Sequence, residues 1–334
     1  MLQIVASSGW GGLELAVLEI SEELSATCDV EVMLPSDAVF RGRFSPDVRV
    51  HSLPPGGRRN PFMARRLGEA VRELGPDIVH THAARATEMV WWAARAGAGG
   101  LGAAVHVATK HNTRVRRIFD RVGTVTAVSA AVGDTIRNPR GVAVVANGVR
   151  VRHVAPQPES ELFTLVAVGR LDRYKGFDLL VDAVADLTVP FRLKIVGEGG
   201  ERSALETRIR ELGLGDRVEL LGHRDDVPEL IAGAHAQIVC SRSEGFGLVV
   251  VEGLHYARLL AATPVGIAPD VLPPELLLDP ADLGGELQRI HRDYASLRAC
   301  FVDRAAPERE RFTWRAAADG YRAVYERALA ARGR

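Results

Sequence analysis

Two basic residues lie five positions apart in a short glycine-bearing segment in the second half of the chain. Arg170 and Lys175 fall within Gly169–Gly176, which follows an apolar run and precedes a helical pattern. A planar guanidinium and an ammonium group on one short loop can converge on a single anion, and the pair suits a diphosphate. The residues alone also allow two exposed basic side chains on a loop that binds nothing.

A second glycine-bearing segment, Ser241–Leu248, carries one acidic residue and is followed by another. Glu244 falls on the predicted loop before a helix, where its carboxylate can accept hydrogen bonds from sugar hydroxyls. Gly245 and Gly247 let backbone amides come close to a sugar or a phosphate. Glu252 lies about two helical turns further on, where its carboxylate can reach another pair of hydroxyl groups on the same ligand. Because carboxylates at this spacing often occur by chance, the prediction depends on their structural context.

The first apolar run of the chain ends in another glycine-rich turn, which includes Gly11 and Gly12. Backbone N–H groups in such a turn can approach an anion at a helix start, although the turn also forms without a ligand. The dinucleotide-binding fingerprint fails here because its third glycine would be Glu14. Gly197–Gly199 fails in the same way, with Arg202 where glycine is required. A dinucleotide-dependent oxidoreductase is therefore the weakest enzyme class for this sequence.

Three histidines follow predicted strands of the first half: His80, His82 and His111. The carboxyl ends of parallel strands meet at one edge of a sheet, so we expect at least one of these side chains to act on a ligand. A three-histidine zinc site is allowed but lacks helical spacing. The three cysteines lie far apart, and no Asp-x-Asp pair follows a strand. We therefore expect a site that works without a metal ion.

Short apolar runs alternate with helical patterns, and this alternation restarts near Phe163. It predicts two doubly wound parallel sheets, each covered on both faces by helices. The predicted domains are 1–153 and 154–312, joined by a proline-bearing linker, with one long helix over 313–334. The predicted strands are Leu2–Ala6, Val30–Leu34, Ile78–His80, Val105–Thr109, Val125–Val128, Val142–Val145, Phe163–Val168, Phe191–Val196, Val218–Leu221 and Gln237–Cys240.

Composition narrows the function classes. The 334 residues are 47% hydrophobic and 25% charged, which excludes a chain that is disordered throughout. The 42 basic and 42 acidic residues balance, so the chain is not a strongly basic nucleic-acid coat, and we expect no nucleic-acid partner. The opening residues lack a basic segment before a long apolar core, and no apolar run reaches the ~20 residues of a spanning helix. Sparse cysteines favour a reducing cytoplasm.

Charge is distributed unevenly along the chain. Residues 1–155 hold 19 Lys and Arg against 14 Asp and Glu, a balance of +5, whereas the remainder holds 23 against 28, a balance of −5. Two stretches, 41–73 and 110–121, concentrate the basic residues of the first half. These arginines either lie solvated on helix faces or form a docking surface for an anionic acceptor or a membrane.

The ordered set of motifs resembles glycosyltransferase family 4, whose members are retaining enzymes of the GT-B fold. The resemblance covers nearly the whole chain and is strongest from Phe163 to Glu252. It implies two Rossmann-like lobes that face each other across a cleft, with a C-terminal helix that crosses back to the N-terminal lobe. It also implies that residues 1–153 bind the acceptor and that residues 154–312 bind a nucleotide sugar.

The resemblance assigns roles to individual residues. Arg170 and Lys175 match the pair that binds the diphosphate. Glu244 matches the residue that contacts the donor sugar, and Glu252 matches the one that contacts the ribose. His111 matches a histidine near the reacting carbon, so it joins Glu244, Arg170 and Lys175 in the catalytic group. The other donor-binding positions that it implies are Gly11, Gly12, Gly169, Gly245, Phe246, Gly247 and Leu248.

The activity expected from the resemblance is hexosyl transfer with retention from a UDP- or GDP-linked sugar to an acceptor hydroxyl. No cofactor is expected beyond this co-substrate, and the acceptor would be lipid-linked, a saccharide or a small natural product. We expect a bacterial cytoplasmic enzyme with peripheral contact at the inner face of the membrane. Arg150 and the residues after Glu252 depart from the family pattern. Because of these departures, a non-catalytic sugar-nucleotide-binding subunit remains an alternative, as does a nucleotide-sugar 2-epimerase, which is another enzyme class on the same fold.

Overall fold

The computed structural model describes residues 1–58, 60–96 and 99–333. The chain forms two compact units. The first unit comprises Met1–Gly148 and the residues from Thr313 onward, and the second unit comprises Val149–Phe312. The sequence pattern placed the first boundary after residue 153. The boundary lies earlier because the amide of Val149 already pairs with Phe312, donating to its carbonyl at 3.1 Å.

The first unit is built on a seven-stranded sheet in the order β3-β2-β1-β4-β5-β6-β7, with every neighbouring pair parallel. Its strands are β1 Leu2–Ile4, β2 Glu31–Leu34, β3 Arg49–Ser52, β4 Ile78–His82, β5 Val105–Lys110, β6 Thr124–Ala127 and β7 Ala143–Val144. Its first four α-helices are α1 Gly12–Ser25, α2 Pro61–Leu74, α3 Ala83–Ala93 and α4 Ala130–Gly133. The strand order reverses between β1 and β4, which makes their carboxyl ends the topological switch point.

Local sequence signals set the limits of helix α2. The Asn60 side chain caps its start by accepting hydrogen bonds from the amides of Phe62 and Met63. Proline at position 61 has a fixed φ suited to the first helical turn, and Gly75 ends the helix at φ 60°. The apolar face of this helix packs with α3 against the sheet. Its buried residues are Met63, Ala64, Leu67, Gly68 and Val71.

The second unit contains a five-stranded parallel sheet in the order β10-β9-β8-β11-β12. Its strands are β8 Phe163–Val168, β9 Phe191–Val196, β10 Val218–Gly222, β11 Ala236–Val239 and β12 Leu260–Ala262. Its α-helices are α5 Phe177–Ala185, α6 Arg202–Glu211, α7 Val227–Ala232, α8 Leu248–Tyr256, α9 Ala268–Val271, α10 Leu283–Arg292 and α11 Tyr294–Cys300. The strand order reverses between β8 and β11, so ligands of this sheet are expected at the loops that follow these two strands.

The last helix, α12 (Trp314–Arg332), belongs to the first unit. Thr313 caps it by accepting from the amide of Ala316. One face of this helix is buried: Tyr321 is fully enclosed, and the Tyr325 hydroxyl lies 2.7 Å from Nδ1 of His80 on β4. The C-terminal helix therefore belongs to the same compact unit as the first sheet, and residue 334, at the end of the predicted helix, lies outside the described residues.

Within residues 1–58, 60–96 and 99–333, no helix has both the length and the apolar character that crossing a membrane requires.

Candidate functional site

Two loops meet at the switch point of the second sheet. One runs from the end of β8 to Gly176, and the other from the end of β11 to Gly247. These two glycines precede α5 and α8 at φ 70° and 94°, and neither helix start carries a side-chain cap. A Cβ on Gly176 would lie 2.1 Å from the carbonyl oxygen of Cys240, so the loops approach closely there. The arrangement leaves two helix N-termini, which favour negative charge, at adjacent strand ends.

An ion pair joins the two loops. Lys175 Nζ lies 2.5 Å from Glu244 Oε1, and Ser241 Oγ donates to the same oxygen at 2.8 Å. The two charged side chains are only 21% and 12% exposed. Because both contacts fall on Oε1, the Glu244 carboxylate is fixed in orientation. The structure thus brings together two residues that the sequence analysis selected from separate motifs.

Arg170 lies on the same loop as Lys175 but is held differently. Its Nε donates to Asp172 Oδ2 at 2.9 Å, and its side chain is 70% exposed. Asp172 also anchors the loop by accepting from the amide of Tyr174. An exposed pair of this kind contributes at most about 1 kcal/mol, so a competing anion can displace Asp172 from the guanidinium. The predicted convergence of Arg170 and Lys175 on one anion therefore requires Arg170 to leave Asp172.

Glu252 lies on α8 and is half-buried. Burial raises the pKa of its carboxyl to about 7, and the positive charge of Lys175 offsets part of this rise. Near neutral pH the group therefore exists in both protonation states. It can donate a hydrogen bond when protonated and accept two or more when ionised.

The remaining predicted donor-binding positions of this unit line the same two loops. The Phe246 ring is buried and packs edge-on against Phe312, with ring centroids 6.0 Å apart. That side chain is therefore part of the core, and any contact with a ligand from this position would come from the backbone. Leu248 is the first residue of α8, and Gly245 lies in the loop before it. Gly169 follows β8 directly, and its amide donates to Val196 at the end of β9.

The glycine-rich turn of the first unit lies at the switch point of its own sheet. Gly11 precedes α1 with an extended backbone, and Gly12 is the first residue of this helix. Glu14, where a dinucleotide-binding turn has glycine, is buried and accepts a hydrogen bond from Ser7. A carboxylate in that position leaves the turn unsuited to a dinucleotide pyrophosphate.

The structure separates the three predicted histidines into two environments. His80 is enclosed, with Nδ1 2.7 Å from Tyr325 Oη and Nε2 2.6 Å from Thr109 Oγ1. His82 Nδ1 lies 3.0 Å from His111 Nε2, and His111 is half-buried. Burial holds the pKa of His80 and His82 well below the usual value and lowers that of His111 to about 3. All three rings are therefore neutral near pH 7.

One residue that contacts these histidines, Gln3, was not identified from the sequence. Gln3 is fully buried on β1, and its Oε1 lies 2.5 Å from His82 Nε2. The signal that could have revealed it is a polar residue inside the apolar strand Leu2–Ile4. In the parts of the chain that the structure describes, no three His, Cys, Asp or Glu side chains are grouped so that they could hold a metal ion.

Two family models match the sequence. Glycosyltransferase Family 4 matches residues 10–153, and Glycosyl transferases group 1 matches residues 152–276. The lipopolysaccharide core biosynthesis glycosyltransferase LpsD of Rhizobium meliloti is 26% identical, with 80% of each chain covered. The phosphatidylinositol N-acetylglucosaminyltransferase gpi3 subunit of Schizosaccharomyces pombe is 30% identical over 48% of this chain. That match spans only 38% of the gpi3 subunit.

The fold recurs in solved structures. Anabaena Alr3699/HepE in complex with UDP and glucose superposes with a TM-score of 0.79 at 19% identity, covering 97% of this chain and 98% of that one. At this level of identity the likeness establishes the fold alone. It confirms the fold class predicted from the sequence, GT-B with Rossmann-like units.

Proposed function

We propose that the chain, which matches the models for Glycosyltransferase Family 4 and Glycosyl transferases group 1 over residues 10–153 and 152–276, is a glycosyltransferase that transfers a hexosyl unit, with retention and without a metal ion, from a nucleoside diphosphate sugar to an acceptor hydroxyl. The observation that carries this proposal is the Lys175–Glu244 ion pair, which lies at the switch point of the second sheet beside two uncapped helix starts.

The second unit would bind the donor through its diphosphate. Lys175 supplies a largely enclosed positive charge, and the starts of α5 and α8 supply backbone N–H groups. Arg170 adds a mobile guanidinium once it leaves Asp172. As the bond from the sugar to the diphosphate breaks, negative charge grows on the departing phosphate. Fixed positive groups at that position stabilise the transition state more than the ground state.

The two glutamates would bind hydroxyl groups of the donor. Glu244 is oriented through Oε1 by Lys175 and Ser241, and its Oε2 would accept a hydrogen bond from a sugar hydroxyl. Glu252 would accept from the ribose hydroxyls when it is ionised. Its raised pKa means that nucleotide binding should strengthen as the pH rises through about 7.

The transfer step would occur on one face of the sugar. The bond between the anomeric carbon and the diphosphate oxygen breaks, and the acceptor oxygen forms a bond to the same carbon on the same side. The acceptor proton passes to an oxygen of the departing phosphate. This step uses no protein nucleophile, and the charge that it creates stays on the diphosphate beside Lys175.

The first unit would bind an acceptor carried by an anionic lipid. LpsD is named for the core of a lipopolysaccharide, which is a saccharide attached to a lipid, and the gpi3 subunit is named for phosphatidylinositol, which is a lipid. The segment 114–117, just after His111, exposes three arginines around Val115, whose side chain is 73% exposed. An apolar side chain among arginines suits the headgroup layer of an anionic membrane.

The test of the activity is donor consumption by the purified full-length chain. UDP-glucose and GDP-mannose are supplied with and without phosphatidylinositol vesicles, and donor, product and released nucleoside diphosphate are followed. We expect release that depends on the acceptor and is lost in Lys175→Met. Lys194→Met, a change of the same type on β9, is the matched control.

The alternatives give different results in this assay. Conversion of the donor sugar with no acceptor present would establish an epimerase and overturn the proposal. Binding of nucleotide with no consumption of any donor would indicate a non-catalytic subunit. Membrane contact is tested separately by sedimentation with phosphatidylglycerol and phosphatidylcholine vesicles, where binding to the anionic vesicles alone is expected.

A further inference from the structure

A line of three side chains crosses the switch point of the first sheet. Gln3 lies on β1, His82 ends the adjacent strand β4, and His111 follows β5. Gln3 Oε1 lies 2.5 Å from His82 Nε2, and His82 Nδ1 lies 3.0 Å from His111 Nε2. Gln3 and His82 are buried, whereas His111 is half-buried and ends the line on the more accessible side.

The glutamine sets the direction of both hydrogen bonds. An amide oxygen only accepts, so His82 must carry its proton on Nε2. A neutral imidazole has one ring N–H, and His82 Nδ1 is therefore an acceptor. His111 must then donate from Nε2, which leaves the lone pair of His111 on Nδ1. Burial of the His82 and His111 rings disfavours their charged forms, in agreement with this neutral arrangement.

The surroundings keep the line from reorganising. The His80 ring lies against His82, with centroids 4.1 Å apart, and both ring nitrogens of His80 are bonded elsewhere. Gln3 is 0% exposed, and its Nε2 is buried without a hydrogen-bond partner in the structure. A buried amide with an unpaired donor is unfavourable for stability. An apolar residue would serve the strand better, which points to a role for Gln3 beyond folding.

We propose that Gln3 and His82 are positioning residues, which hold His111 in the Nε2–H tautomer so that its Nδ1 accepts a hydrogen bond from a substrate hydroxyl. The inference deepens the proposed function, because that function supplies a substrate with hydroxyl groups. The Nδ1 lone pair of a neutral His111 can accept a hydrogen bond from a hydroxyl. It repels a phosphate oxygen, because that oxygen is also a hydrogen-bond acceptor. His111 would therefore align with the carbohydrate part of the substrate rather than with the diphosphate.

The direct test is the tautomer of His111 in the full-length protein without ligand. Histidine is labelled with ¹⁵N, two-bond ¹⁵N–¹H correlations are recorded, and His111 is assigned with His111→Gln. We expect the Nε2–H form in the wild type and loss of this single tautomer in Gln3→Met and in His82→Phe. His106, which bonds Thr81 through Nε2, is the internal control and should not change. An Nδ1–H His111 in the wild type, or an unchanged His111 in a folded Gln3→Met, would overturn the inference.

Turnover separates this inference from the proposed function. Gln3→Met should lower kcat by about tenfold to a hundredfold, as loss of an orienting partner does at other sites, and should change the KM of the donor much less. A shifted tautomer with kcat within twofold of wild type would contradict the positioning role. If the wild type consumes no nucleotide sugar, the proposed function fails, while the ¹⁵N measurement still decides the tautomer.

Discussion

Lys175 and Glu244 form an ion pair in which both side chains are poorly exposed. Lys175→Met should lower turnover by about 10²- to 10³-fold, the effect expected when a fixed charge stabiliser is removed. Glu244→Gln should also be severe. Because the two side chains touch, the double variant should lose less than the product of the two single losses. Steady-state kinetics of the three variants measure this, and multiplicative losses would argue against a shared role.

Glu252 makes the stability of the second unit depend on pH. Its pKa rises on folding from the ordinary 4.5 to about 7, so the folded state favours the protonated carboxyl. The stabilisation that this provides is complete below about pH 4.5 and is lost as the pH rises through 7. Glu252→Gln removes this dependence. The free energy of unfolding of the variant minus that of the wild type should therefore be larger at pH 8 than at pH 5 by about 1–3 kcal/mol. Calorimetric Tm values at the two pH values measure the difference, and an unchanged difference would contradict the raised pKa.

Sequence reasoning located the charged residues but not how they are held. Lys175 and Glu244 were selected because they lie on loops between a strand and a helix, and the structure joins them directly. Arg170 was expected beside Lys175, yet it is bonded to Asp172, since a long exposed side chain takes the nearest partner. Gln3 was missed because a single polar residue in a short apolar strand gives no periodic signal.

Among the elements, the close approach of the loop that ends at Gly176 to the loop that follows β11 depends on glycine at position 176. This residue has φ 70°, and an added Cβ would lie 2.1 Å from Cys240 O. Gly176→Ala should destabilise the protein by about 2 kcal/mol or more and should weaken nucleotide binding. Gly200→Ala, where a Cβ meets no atom within 4 Å, is the control and should be near neutral. Equal thermal unfolding curves for the two variants would contradict a steric requirement at Gly176.

Helix α12 stabilises the first unit through a buried hydrogen bond as well as through apolar packing. Tyr325→Phe removes the hydroxyl 2.7 Å from His80 Nδ1 and leaves that ring nitrogen without its partner. We expect a loss of about 1–3 kcal/mol, read as a lower Tm. Tyr174→Phe, at a side chain that is 52% exposed, should change the Tm little. No loss in Tyr325→Phe would mean that the helix is held by packing alone.

Most elements could be predicted from the sequence, and two strands could not. Phe163–Val168 and Phe191–Val196 have the predicted bounds, because both are apolar runs between clear turn signals. Strand β3 was missed because it is a polar edge strand, paired to β2 through Glu31 with Arg49 and His51. Strand β12 was missed because its three residues lie in a long apolar stretch that shows no boundary.

In the molecule as a whole, the two compact units are built from parts of the chain that carry opposite net charge. The half with a balance of +5 forms most of the first unit, and the half with −5 forms most of the second. This division fits an anionic lipid-linked acceptor on the first unit. Under the proposed function the second unit would bind its anionic donor by a few placed groups rather than by net charge, so salt should weaken membrane contact more than nucleotide binding.

We propose that the switch point of the second sheet binds a nucleoside diphosphate. Thermal unfolding of the wild type, Lys175→Met and Lys194→Met with saturating UDP, GDP and NAD tests this proposal. A ligand at 100 times its Kd stabilises the folded protein by about 2.7 kcal/mol, which corresponds to a rise of roughly 5–10 °C. We predict that rise with UDP or GDP in the wild type and Lys194→Met, and its loss in Lys175→Met. A rise with NAD alone, or an equal rise in all three proteins, would contradict the account.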